Sequence, residues 1–398
     1  MKSAPVQNSS SLASLSRAKR RTCSSFSSSL DNCVAVYPDT ELVEVEGSHS
    51  CAVSRLFSIL AVFFLLPSFL NAQTDTSKLT VTEKISAPPH DTIIKPGSSG
   101  IVKTNSPFSY LNYLTPEQKR KRQWIVGGLN VIGYGASLII FNNTWYKDYP
   151  KTSFHTFNDN GEWLQMDKVG HAWAAYNAGR ASAAMWVWAG VAPKKAAWIG
   201  GLSSTVYMTV IEILDAHSAQ WGWSWGDMAA NLFGSGLFIS QQVGWEEQRI
   251  QFKFSFHRKT YSDSALNERS DDLFGSGWAE RMLKDYNGQT YWLSANLRSF
   301  FQGSNIPPWL NVAIGYGADG MFGGYHNVWI DEETGLPVNR TDIKRYRQWF
   351  LAPDVNFSKI KTNSKGVKLL LGILDAFKFP IPSLELSNGK LKVHAIHF

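Results

Sequence analysis

Apolar residues recur with two periods along this chain, and the period changes once. The first apolar stretch, 125–141, carries no charged residue and holds Gly127, Gly128, Gly133 and Gly135. Thr115-Pro116-Glu117-Gln118 ahead of it has the makings of a helix start: a capping side chain, Pro in the first turn, then an acidic residue. The stretch sits at the lower length limit for crossing a bilayer, and its small residues suit close helix packing. It reads either as a membrane segment or as a buried bundle helix. A loop-like stretch, 144–161, follows, and then helical spacing at about 163–190, 196–215 and 226–243. Pro193 breaks one connection, and Gln220-Trp221-Gly222-Trp223-Ser224-Trp225 marks the other. Ser224 stands three residues before Asp227, which suits a helix start. Such short connections predict antiparallel neighbours in a bundle.

After Gln248 the period falls to two. Phe252, Phe254 and Phe256 alternate with Lys253, Ser255 and His257; Tyr291, Leu293 and Ala295 alternate with Trp292, Ser294 and Asn296. Leu310, Val312, Ile314 and Tyr316 repeat the pattern, as do Leu391, Val393 and Ala395. The alternation predicts about six half-buried antiparallel strands. Helices first and strands second is an α+β order: a Trp- and Gly-rich helical bundle over 115–248, then an antiparallel strand-rich region over 249–398. A terminal Phe398 also occurs on outer-membrane barrels, but a closed barrel needs at least eight strands of about 9–11 residues. A half-open sheet or partial barrel packed on the helices is the expectation.

Residues before the bundle read as processing signals. Arg55 precedes an apolar run over 56–70, and Asn71-Ala72-Gln73 supplies a small residue at a cut. Residues 51–72 are therefore expected to be a secretory signal peptide, cleaved at or near Gln73. The Ser-rich residues 1–50, with the basic run Arg17 to Arg21, are expected to be a disordered extension or an over-extended start. Residues 73–114 read as a linker. Cys23, Cys33 and Cys51 all precede the cut, so the expected mature chain offers no disulfide framework, no thiolate metal site and no Cys to carry a lipid.

Charge excludes little except nucleic acid. The whole chain carries +7, and removing the six basic and five acidic residues before Gln73 leaves +6, spread without a basic patch. All 16 Trp lie after Gln73, which fits contact with a membrane or lipid surface as well as a large aromatic core. No protein partner and no cofactor is assigned.

The candidate chemistry lies inside the bundle. Asp167 and His171 are spaced i,i+4, Glu212 and Asp215 i,i+3, and Asp227 and Asn231 i,i+4, so each pair shares a helix face. Lys168 adds a cation beside the first pair. Ionisable groups among Trp, Ala, Gly, Ile and Leu are costly to bury unless they meet each other, a metal or a ligand. One polar constellation of Asp167, Lys168, His171, Glu212, Asp215, Asp227 and Asn231 is the expectation.

The pattern Asp167-Lys168-x-Gly170-His171, then Glu212-x-x-Asp215, then Trp221-Gly222-x-Ser224-x-Gly226-Asp227-x-x-Ala230-Asn231-x-x-Gly234 resembles a family of predicted periplasmic lipoproteins of unknown function, typified by the YfiM-type lipoprotein. More distantly it is similar to the VanZ-like membrane proteins. The resemblance covers about 124–260. It implies an exported protein of the periplasm or outer membrane of a Gram-negative bacterium, associated with a membrane. It implies no reaction.

Three readings of the constellation stay open. In the first it is a satisfied network that fixes helix register, with Lys168 paired to Asp227 or Glu212, His171 bonded to Asp215, and Asn231 capping it. In the second it is an active site for lipid-linked or cell-wall substrates, with His171 as acid or base, Asp167 or Asp215 orienting it, and Lys168 holding an anion. In the third His171, Glu212, Asp215 and Asp227 hold a divalent metal, a donor set that suits Mn, Fe or Mg better than Zn. Gly315-x-Gly317-x-x-Gly320 matches a dinucleotide fingerprint only as a string and reads as a glycine turn. His155, His257, His326, His394 and His397 read as scattered surface or core residues.

Overall fold

The computed structural model describes residues 114–142, 146, 149–331 and 334–397. The expected extension, the signal peptide, the three cysteines and nearly all of the expected linker lie outside them. Helix α1 (Pro116–Phe141) starts in a reciprocal cap: Thr115 Oγ1 accepts from the Gln118 N–H, and Gln118 Oε1 accepts from the Thr115 N–H. Helices α2 (Met166–Trp188), α3 (Pro193–Ala216) and α4 (Trp225–Gly244) follow. Pro193 opens α3, and Ser224 caps α4 by accepting from the Asp227 N–H at 3.1 Å. Gly190, at φ +84°, makes the left-handed exit from α2 that a side chain would resist.

Small residues let the three inner helices touch backbone to backbone. A Cβ on Gly200 would lie 2.5 Å from Gly179 O, and one on Gly234 would lie 2.0 Å from Ala172 O. Helix α2 thus sits between α3 and α4, while α1 packs on α2 through Val126, Met185 and Ala189.

The strands form one antiparallel sheet: β1 (Ile250–Phe256), β2 (Gln289–Asn296), β3 (Leu310–Asp319), β6 (Tyr346–Val355), β7 (Ile381–Ser387) and β8 (Lys390–His397), paired in that order. A separate ribbon pairs β4 (Val328–Ile330) with β5 (Pro337–Asn339). The fold is α+β, helices before sheet, and the sheet does not close into a barrel. Four further helices punctuate the strand region where none was expected: α5 (Ser264–Phe274), α6 (Trp278–Lys284), α7 (Leu297–Phe300) and α8 (Lys365–Leu374). Gly315 and Gly317 prove to be strand residues of β3 rather than a turn; only Gly320 turns the chain, at φ +78°.

The sheet carries its polarity inside out. Phe252, Phe254 and Tyr291 pack on α2 through Trp173 and Tyr176. Farther along the same face Ile314 and Val393 stand 60% and 75% exposed, with Trp349, Leu351 and Leu386 beside them. The opposite face is buried and mixes polar groups with an apolar cluster of Trp292, Ala313, Phe350 and Ala352. There Lys253 Nζ meets Asp354 Oδ2 at 2.8 Å and donates to Val355 O, and Ser294 donates to Asp354.

Candidate functional site

Helix α2 brings Asp167, Lys168 and His171 in its first turns, α3 brings Glu212 and Asp215 near its end, and α4 brings Asp227 and Asn231 in its opening turns. The antiparallel packing of these helices places all seven at one end of the bundle. The Lys168 ammonium lies 2.5 Å from Asp159, 3.0 Å from Asp227 and 3.5 Å from Asp167. His171 Nδ1 lies 3.2 Å from Asn231 Oδ1 and 3.3 Å from Glu212 Oε1, and its Nε2 lies 3.9 Å from Asp167. One pairing differs from the expectation. Lys168 meets Asp227, one of its two expected partners, but His171 faces Glu212 and Asn231 while Asp215 accepts from the Tyr146 hydroxyl at 2.7 Å. Helical spacing fixes which residues share a face, but the rotation of each helix decides who meets whom.

Four participants carried no signal at helical spacing. Asp159 sits in the loop before α2 and takes both Lys168 and the Ser224 hydroxyl, the latter at 2.6 Å. Tyr146 binds Asp215, and Tyr286, from beyond α6, donates to Asp167 at 2.9 Å. Ser224 was legible as a helix cap, not as a partner of Asp159. Gly226 leaves the space that Lys168 threads: a Cβ there would lie 2.3 Å from Asn160 Oδ1 and 3.1 Å from Lys168 Cε.

The cluster holds more acid than base. Five carboxylates (Asp159, Asp167, Glu212, Asp215, Asp227) face two cationic side chains. Burial alone would push the His171 imidazole down, but Asp227, Asp167, Glu212 and Asp215 outweigh it and raise it to about 9. Burial and the Asp167 charge push Asp227 up to about 7 against the pull of His171 and Lys168, and burial pushes Glu212 up to about 8. Burial would also raise Asp159, but hydrogen bonds from Lys168 and Ser224 hold it low. Glu212 Oε1 and Asp227 Oδ1 lie in ion-pair range yet accept no hydrogen bond, and Asn231 Nδ2 donates none. Buried carboxylate oxygens left in this way call for protons or a cation. Asp167, His171 and Asp227 each turn one ligand atom inward, all within 4.8 Å of one another, a spacing that a single metal ion could bridge.

The cluster is not sealed. Asp167 is 30% exposed at its side chain, and Lys168 borders a trough of about 400 Å³ between the helices and the apolar sheet face. Ala172, Phe233, Leu293, Ile314 and Trp349 line it.

The turn that feeds α2 is strained. Trp163, Leu164 and Gln165 have φ of 45°, 51° and 67°, left-handed values unusual for such side chains. Three bonds hold them: the Trp163 N–H donates to Gly324 O, the Tyr316 hydroxyl to Leu164 O, and Arg347 to Gln165 Oε1. All three partners belong to the strand region.

The remaining histidines are less scattered than expected. His257, His394 and His397 meet at the far end of the sheet, beside Glu385.

Sequence comparison reaches only the helical part of the chain that holds the cluster. Residues 156–240 match DUF2279, a family described as a predicted periplasmic lipoprotein. The matched segment contains all seven residues of the constellation and marks an exported, periplasmic protein of unknown function. The chain matches no curated protein and no solved structure.

Proposed function

We propose that this is a membrane-associated envelope protein whose polar cluster binds one divalent cation between α2, α3 and α4. The carrying observation is the charge imbalance: buried carboxylate oxygens of Glu212 and Asp227 without hydrogen bonds, beside three ligand atoms at metal spacing. Carboxylate-rich sets with one imidazole suit Mn, Fe or Mg. Membrane association is supported by the outward apolar face of the sheet and by α1 and α3, both long and apolar enough to cross a bilayer by length and composition. Location at the outer membrane and kinship to the YfiM-type and VanZ-like proteins extend the same reading.

Titrating Mn2+ into the purified full chain, followed by electron paramagnetic resonance, tests it. One equivalent should bind, and at a hundredfold its Kd it should add about 2.7 kcal/mol to stability. Asp227→Asn and His171→Ala should each weaken binding at least tenfold. Since the surrounding carboxylates keep His171 protonated at neutral pH, uptake should release a proton, and affinity should rise with pH. Mn2+ binding indifferent to both substitutions would discard the assignment.

A second reading, favoured by the trough that runs to Lys168, is an enzyme on lipid-linked substrates with His171 as acid or base. In that reading Lys168 would face the substrate phosphate. Phosphate or headgroup release from a lipid-linked phosphate ester, lost in His171→Ala while the fold persists, would establish it. Cation binding without turnover would leave a binding protein.

A further inference from the structure

His257 follows β1, and His394 and His397 lie on β8, the first and last strands of the open sheet. The three imidazoles nonetheless share one cavity of about 170 Å³ with Glu385, Thr290 and Gln348. The ring centroids of His394 and His397 are 5.4 Å apart, and those of His257 and His397 5.9 Å. Imidazole nitrogens about 2.0–2.1 Å from a tetrahedral metal place their ring centroids roughly 5 Å apart. The spacing needs only side-chain rotation to converge on one ion.

The nitrogens are disposed for it. His257 Nδ1 is buried and without a hydrogen-bond partner. His394 Nε2 is engaged at 2.6 Å by Glu385 Oε2, which leaves Nδ1 to ligate. That is the carboxylate–histidine arrangement that fixes tautomer and ring orientation at metal sites. His397 is buried against Phe350 and Trp292, with Nε2 at 3.4 Å from Thr290 Oγ1. The nearby ammonium groups have their own partners: Lys259 meets Asp319 at 2.8 Å and Lys392 meets Glu385 at 3.1 Å.

We propose that His257, His394 and His397 bind one transition-metal ion of the zinc type, with Glu385 orienting His394. The ion would staple the end of the first strand to the last across the gap where the sheet fails to close. Its nitrogen donors separate it in chemistry from the oxygen-rich cluster on the helices.

Cobalt tests the assignment through its visible absorption. The full-length chain, purified in detergent and stripped with a chelator, is titrated with Co2+. The intense bands of a tetrahedral ion should saturate at one equivalent, Co2+ in the oxygen-rich helical cluster adding only weak bands, and Zn2+ should abolish them. His257→Gln and His397→Gln should each weaken binding at least tenfold, and Glu385→Gln by about 10–100-fold. Asp227→Asn should leave the bands unchanged. Near-ultraviolet circular dichroism of the metal-free variants checks that each is folded; His394→Gln, at a half-exposed position, substitutes for any that is not. No tetrahedral bands in the wild type would overturn the proposal. So would bands that survive the histidine substitutions and vanish in Asp227→Asn.

Discussion

Replacing Lys168 with Met should cost about 3–5 kcal/mol of stability, the usual loss when one side of a buried ion pair is removed. Methionine keeps the length and packing of the stem and deletes only the charge. Asp159 and Asp227 would then face each other with no ammonium between them, and Asp167 would lose its nearer cation. Neither of the first two can turn to water, because both are buried. Their remaining options are protonation or a metal ion. Denaturant unfolding of the variant in detergent should therefore show a lower midpoint with an unchanged slope. Added Mn2+ should restore more stability to the variant than to the wild type, since a divalent ion replaces the lost charge. A variant as stable as the wild type without metal would mean that the carboxylates are already protonated and that Lys168 is not their counter-charge.

Gly234→Ala should be nearly as damaging for a different reason. The added methyl would lie 2.0 Å from Ala172 O and 2.8 Å from its carbonyl carbon, both backbone atoms of α2. Side chains can rotate away from a clash; a helix backbone cannot. Parting α2 from α4 would also pull His171 from Asn231. The expected loss is about 3 kcal/mol, the upper end of the overpacking range. Gly236→Ala, two residues on in the same helix, meets nothing within 4 Å. It should instead stabilise by about 0.5–1 kcal/mol, as Ala does in place of a helical Gly. Opposite signs in paired unfolding curves support the close approach of α2 and α4; equal values would refute it.

What the sequence made legible follows the same division between local and distant. Pro193, Ser224 and the Thr115 cap act within a turn of themselves, so the helix starts could be read directly. The motif spacings put Asp167 with His171 and Asp227 with Asn231 for the same reason. Tyr286 meets Asp167 across 119 residues, and no periodicity encodes such a contact. The strand region hid more. Alternation at period two says which residues share a face, not which face is enclosed. Leu391 and Val393 were expected on a half-buried strand, yet they are exposed, as are Leu384 and Leu386, while Ser383, Glu385 and Ser387 are buried. The metal-like grouping of His257, His394 and His397 depends on curling the first strand towards the last, which pairwise strand reading does not contain.

The left-handed turn at Trp163, Leu164 and Gln165 bears on how the molecule comes to exist. Residues held there cost about 1–3 kcal/mol each and persist only where their surroundings impose them. The imposing groups are Gly324, Tyr316 and Arg347, more than 150 residues downstream. Such distant contacts form late, after the intervening chain has been ordered. The first turn of α2, with Asp167 and Lys168, is thus set in its final direction only once the sheet is built. The segment 156–240 is a unit of kinship whose own motif depends on the rest: cut free, it would lose the groups that impose the turn ahead of Asp167 and Lys168.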